Sequence, residues 1–101
     1  MRLPKQINVM GKNYQIIKSS DMEDMGLLDE EAGTLSINMN QSEEDLLNTL
    51  VHELGHALFR RCGFNQGVQD QLEESIVQSY ANMITEVFNL KLKTKKKTEE
   101  D

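Results

Sequence analysis

The apolar residues of this chain follow two rhythms. The first 40 or so residues alternate with a period near two, and from about residue 42 onward the spacing becomes three and four. In the first region, Ile7 and Val9 lead into Met10-Gly11-Lys12-Asn13, and Tyr14-Gln15-Ile16-Ile17 follows. Glycine and asparagine between two β-prone runs predict a hairpin over 6–18. A second hairpin is predicted over 26–39: Gly26-Leu27-Leu28-Asp29 enters, Glu30-Glu31-Ala32-Gly33 turns, and Thr34 to Met39 returns. In the return strand Leu35, Ile37 and Met39 face one way and Thr34, Ser36 and Asn38 the other, so one face should be packed and the other wet. The acidic stretch between the hairpins, residues 19–25, reads as a loop with room for one helical turn.

A long helix should follow from about Ser42 to Cys62. Ser42 is a suitable N-cap, with Asp45 three residues on. Glu43, Glu44 and Asp45 suit the positive end of the helix dipole, Arg60 and Arg61 suit the negative end, and Gly63 can take the left-handed conformation that ends a helix. At 100° per residue, Leu46, Leu47, Leu50, Val51, Leu54, Ala57 and Leu58 fall within about 140° of one another, a face that would pack on the sheet. Gly55 inside this helix costs about 1 kcal/mol relative to alanine. Its presence implies close approach of another segment, or simple tolerance. Cys62 falls with the apolar face and is expected to be a small buried hydrophobe.

After a loop over 63–69, a second helix is predicted from about Asp70 to Leu90. Leu72, Ile76, Val77, Tyr80, Met83, Ile84, Val87 and Phe88 make its apolar stripe, which makes Tyr80 an expected core residue. Residues 91–101 are lysine-rich and then acidic, without apolar periodicity after Leu92, and are expected to be a mobile tail. The expected architecture is α+β: three or four short strands, antiparallel or mixed, packed on two helices in a single domain over 1–90.

Composition narrows the setting. The 101 residues suffice for one domain. A single cysteine excludes an intrachain disulfide and suits a reducing compartment. No apolar run approaches a signal peptide or a membrane span. A soluble, cytoplasmic protein is expected, without a membrane partner. The net charge of −6 conceals an acidic body and a basic end: 6 basic and 14 acidic groups over 1–90, against 5 lysines and 3 acids over 91–101. An acidic body argues against nucleic acid as a partner, because affinity for phosphate needs basic surface.

The chemistry is concentrated at Val51-His52-Glu53-Leu54-Gly55-His56-Ala57, an H-E-x-x-H pattern. Four apart on a helix, His52 and His56 lie about 40° from each other, one turn above the other, where a single Zn2+ can take both. They fall opposite the apolar face, which weighs against two core histidines. Glu53 lies beside the metal rather than on it, where it can take a proton from water. A third ligand is expected from the second helix. There Glu73 falls at about 100° from Leu72, inside the apolar stripe, and Glu74 at about 200°, outside it. A buried carboxylate needs a partner, so Glu73 is the expected ligand, with a capping role for Asp70-Gln71-Leu72-Glu73 as the competing account.

With His52-Glu53-Leu54-Gly55-His56 followed by Glu73-Glu74, the chain resembles the gluzincins, zinc metallopeptidases with two histidines and a glutamate as ligands. It is similar to small zincin-like proteins of phages and prophages over residues 6–90, with Gly11-Lys12-Asn13-Tyr14, Gly26-Leu27-Leu28-Asp29 and Leu72 to Val77 as supporting patterns. The resemblance implies a minimal zincin fold and hydrolysis of a peptide or protein, in the host cytoplasm if the chain is phage-encoded. It also exposes a departure. Larger members place a further histidine or tyrosine near the metal, and here Tyr14 and Tyr80 are the only phenols. A substrate could add as a strand to the sheet edge, expected at residues 34–39. A zinc-containing peptide-binding module and a structural zinc protein are the alternatives, and neither requires Glu53. The sequence does not set the oligomeric state.

Overall fold

The computed structural model describes the backbone of residues 2–100 and the side chains of residues 2–88. Four strands, β1 (Gln6–Val9), β2 (Lys12–Ser19), β3 (Gly26–Asp29) and β4 (Thr34–Asn38), precede two α-helices, α1 (Glu43–Cys62) and α2 (Asp70–Glu100), with a short 3-10 turn at Phe64–Gln66 between the helices. This is an α+β fold.

Both hairpins form where turn chemistry allows. Met10 and Gly11 connect β1 to β2 with φ of 48° and 90°, the paired positive values that a two-residue hairpin turn demands. The Asn8 side chain accepts from the Gly11 N–H and so ties the turn together. Gly33, at φ 69°, closes the second hairpin by donating its N–H to Asp29 O. The sheet order is β1-β2-β4-β3, with β2 and β4 parallel and the two outer pairs antiparallel. β4 is therefore interior. The expectation of a free edge at residues 34–39 is corrected: β2 pairs with one side of β4 and β3 with the other, which leaves β1 and β3 as the edges.

Leu35 and Ile37 are fully buried, in a core with Leu3, Ile16, Leu46 and Leu50 against which Ile7, Met39 and Leu54 pack. Asn38, expected to be wet, is also buried. It donates to Met22 O and Asp24 O and accepts from the Asn40 N–H, so its amide holds the irregular 19–25 segment against the sheet. Tyr14 is buried as well. Its hydroxyl donates to the Glu30 carboxylate, and burial together with that bond pushes its pKa up to about 12.

The ends of α1 follow the expected signals. The Ser42 hydroxyl accepts from the Asp45 N–H at 3.1 Å, and Gly63 at φ 75° returns its N–H to the last turn. Cys62 is only half-buried, because it sits at the last turn of the helix. α2 runs past Leu90 to Glu100, since no glycine or proline follows Gly67 to stop it and Lys, Leu and Glu favour helix. The expectation of a mobile tail over 91–101 falls on residues whose side chains lie outside the described ones.

The larger correction concerns the phase of α2. The residues it buries are Glu73, Val77, Ala81 and Thr85, while Leu72, Ile76, Tyr80, Met83, Val87 and Phe88 are exposed. Tyr80 is not core. Small side chains face α1 because the helices approach closely: a Cβ on Gly55 would come within 2.9 Å of Val77 Cγ1. That contact is the reason for a glycine inside α1.

Candidate metal centre

His52 and His56 lie on the side of α1 that α2 packs across, and Glu53 turns beside them toward Gly26 of β3. The Nε2 atoms of His52 and His56 are 3.2 Å apart. The Glu74 carboxylate spans both, with one oxygen 2.9 Å from His52 Nε2 and the other 3.0 Å from His56 Nε2. His52, His56 and Glu74 thus present their ligand atoms within 4.8 Å of one another.

The outer ring nitrogens explain why the inner ones converge. His56 Nδ1 lies 2.6 Å from a Glu73 oxygen, and an ionised carboxylate can only accept. His52 Nδ1 lies 2.8 Å from Gln78 Oε1. The orientation of that amide is fixed by a run of donors. The Thr85 hydroxyl donates to Ala81 O, Asn48 Nδ2 donates to Thr85 Oγ1, and Gln78 Nε2 donates to Asn48 Oδ1 and Asn82 Oδ1. Gln78 must then offer its oxygen to His52. With Nδ1 the donor on both rings, both Nε2 atoms of neutral imidazoles carry lone pairs. Two lone pairs and a carboxylate aimed at one spot repel unless positive charge sits among them. The site therefore fits a cation, and an N/N/O donor set suits a metal such as zinc.

The sequence-predicted residues are distributed as follows. His52 and His56 are brought together with their ring nitrogens facing. Glu73 is buried as expected, but it lies on the outer edge of His56 rather than among the converging atoms, and Glu74 takes the inner place. The helical-angle argument found the buried glutamate correctly. In this arrangement its carboxylate faces the His56 Nδ1, and an imidazole N–H satisfies a buried carboxylate as a metal ion also would. Glu53 is half-buried and lines two clefts of about 410 and 470 Å3 that share Gly26, His52 and Glu53. Burial pushes its carboxyl above the usual carboxylate range, His52 and His56 oppose the rise, and Glu74 and Asp24 add to it. Cys62 is not part of the cluster.

The clefts run along β3, whose outer edge has no strand partner among the described residues. α1 comes close to that strand at Gly26: a Cβ there would meet Thr49 Cγ2 at 2.7 Å and Glu53 Cγ at 3.1 Å. Neither phenol lines either cleft, but Arg60, one turn beyond His56, lines the second. Sequence reasoning missed Gly26, Asn48, Gln78 and Arg60. The signal for Arg60 was available, since His52, His56 and Arg60 repeat every four residues. The Asn48 and Gln78 pairing joins different helices and leaves no local trace.

No helix among the described residues is long and apolar enough to cross a membrane. Neither a curated protein nor a solved structure gives a significant match. A family profile for the IrrE N-terminal-like domain does match, over residues 9–101, almost the whole chain. With a metallopeptidase-family model matched over 93 of its 101 residues, the chain belongs to the Peptidase_M78 family.

Proposed function

We propose that the protein is a zinc-dependent peptide hydrolase in which His52, His56 and Glu74 hold the metal. The observation that carries this reading is the convergence of two lone-pair nitrogens and one carboxylate, each histidine oriented from behind by Glu73 or Gln78. A zinc ion held there would supply Lewis acidity toward a peptide carbonyl and toward water. Glu53, adjacent to His52 and raised in pKa by burial, would accept a proton from water in the cleft and pass it to the leaving amine. The substrate lies in the clefts beside β3, adding its backbone to the free edge as a further strand. This replaces the edge expected at 34–39. Arg60 is a cation in the same cleft and offsets negative charge that develops on the substrate. The substrate is a peptide or protein in a cytoplasm. A phage or prophage source is part of the same proposal and rests on the resemblance of motif spacing.

Glu53→Gln keeps the size of the side chain and removes its basicity. The test incubates parent and variant, each loaded with zinc, with an unbiased peptide library and reads cleavage by mass spectrometry. The expected result is zinc-dependent cleavage by the parent and a roughly 10²–10⁴-fold loss in the variant, with zinc binding retained. Absence of cleavage by either form, with peptides retained by both, would replace the hydrolase by a peptide-binding module on the same scaffold.

A further inference from the structure

Leu72, Ile76, Tyr80, Met83 and Val87 form an uninterrupted apolar stripe along the outer side of α2, with Tyr80 57% and Met83 51% exposed. Together they present roughly 500 Å2 of apolar surface, at the top of the range that a monomer leaves bare. From Ile76 to Val87 the spacing is four, three, four, and Leu90 continues it in the sequence. That is the spacing by which one helix lays a seam on another like itself. The stripe itself bears no charge in a chain of net charge −6, and one flank carries Ser75, Ser79, Asn82 and Glu86.

The two ends of the stripe differ in shape. At the N-terminal end a groove of about 630 Å3 opens between the β1–β2 turn, α1 and α2, with Val9, Leu54, Leu58, Ile76 and Tyr80 among its walls. At the other end α2 outruns its only long neighbour. α2 has 31 residues and α1 has 20, and the pairing of Asn48 with Asn82 and Thr85 sets the start of α1 near residue 88. Beyond that point the backbone continues as a single helix to Glu100, at the low end of the ~12–15 residues below which a helix alone is marginal in water. One end is concave and lacks a filler, and the other is convex and lacks a wall.

We propose that this face is a dimer interface in which a second copy lays its α2 antiparallel on the first. The two-fold arrangement lays the Met83–Val87 end of each stripe in the groove of the other and carries the helix beyond it past Leu72. It pairs Ile76 with Val87 of the other copy and Tyr80 with Met83, and sets Glu86 across from Ser79 rather than from another acid. A parallel arrangement would face groove with groove and leave both hollow. The stripe supplies the apolar centre, and polar flanks the remainder, of an interface of the ~800 Å2 per partner typical of a specific one. The stripe is centred about 160° around α2 from Glu74, so the metal clefts stay open in the dimer.

The test is light scattering with size exclusion on the full chain at micromolar concentrations, with and without chelator. The expected mass is twice the 11.6 kDa of the chain, independent of metal. Met83→Glu should give a monomer with an unchanged far-UV spectrum, since Met83 is exposed within one chain. Orientation is read in a Cys62→Ser background. Ile76→Cys and Val87→Cys should each fail to cross-link with themselves and should form a disulfide when mixed. A monomeric parent, a Met83→Glu dimer, or self-linked Ile76→Cys would each overturn the proposal.

Discussion

Glu73 and Glu74 are neighbours in sequence, about 100° apart around α2, and both reach the histidines of α1. Glu74 faces Nε2 of both rings, and Glu73 faces Nδ1 of one. The difference predicts unequal losses of zinc affinity, measured by competition with a chromogenic chelator. Glu74→Ala should cost more than about 100-fold, because an inner donor disappears. Glu73→Gln keeps an acceptor for His56 Nδ1 and should cost about 10-fold, the lower end for an orienting partner. A larger loss from Glu73→Gln would return Glu73 to the ligand set. That the two histidine rings face one another was legible in the sequence, because four-residue spacing on a helix is a local property. Which glutamate faces the inner nitrogens was not, because it depends on the rotation of α2 about its axis.

At the scale of elements, the bounds of α1 were readable because Ser42 and Gly63 act on their own backbone. The buried face of α2 was not. Periodicity reports where large apolar residues lie, and here the helix–helix contact is made of smaller side chains: Gly55 on one side, Val77 and Ala81 on the other. Alanine at position 55 would gain about 1 kcal/mol of helix propensity and lose about 1–3 kcal/mol to overpacking against Val77. Gly55→Ala should therefore lower stability by about 1 kcal/mol in urea unfolding, and the same change in a Val77→Ala background should be neutral or stabilising. A stabilised single variant would mean that the helices do not meet tightly there. The strand order was hidden for a related reason. Alternation in Thr34–Asn38 assigns its faces but not its neighbours, so an interior strand was expected at the edge.

For the whole molecule, the candidate metal centre joins α1 to α2 across a connection of only seven residues, 63–69. Zinc held there would bind the folded arrangement and not the open chain, so its binding energy would become folding energy. At a free concentration 100 times the dissociation constant, zinc adds about 2.7 kcal/mol, which raises the Tm of a domain this size by on the order of 10 °C. Calorimetry with zinc and with chelator reads this directly. An unchanged Tm, or an equal rise in His56→Ala, would contradict the assignment of the ligands.

The adjacency of Glu73 and Glu74 also sets which changes of chain length the protein tolerates. A residue added among 64–69 lengthens a surface connection and leaves the phase of α2 alone. A residue added between Glu74 and Val77 turns the two glutamates by about 100° against the face on which Val77, Ala81 and Thr85 pack. The Glu74 carboxylate would then swing toward the outer place of its neighbour, and Glu73 would leave His56 in the same movement. The spacing from the glutamates to Val77 is thus as much part of the motif as the four residues between the histidines.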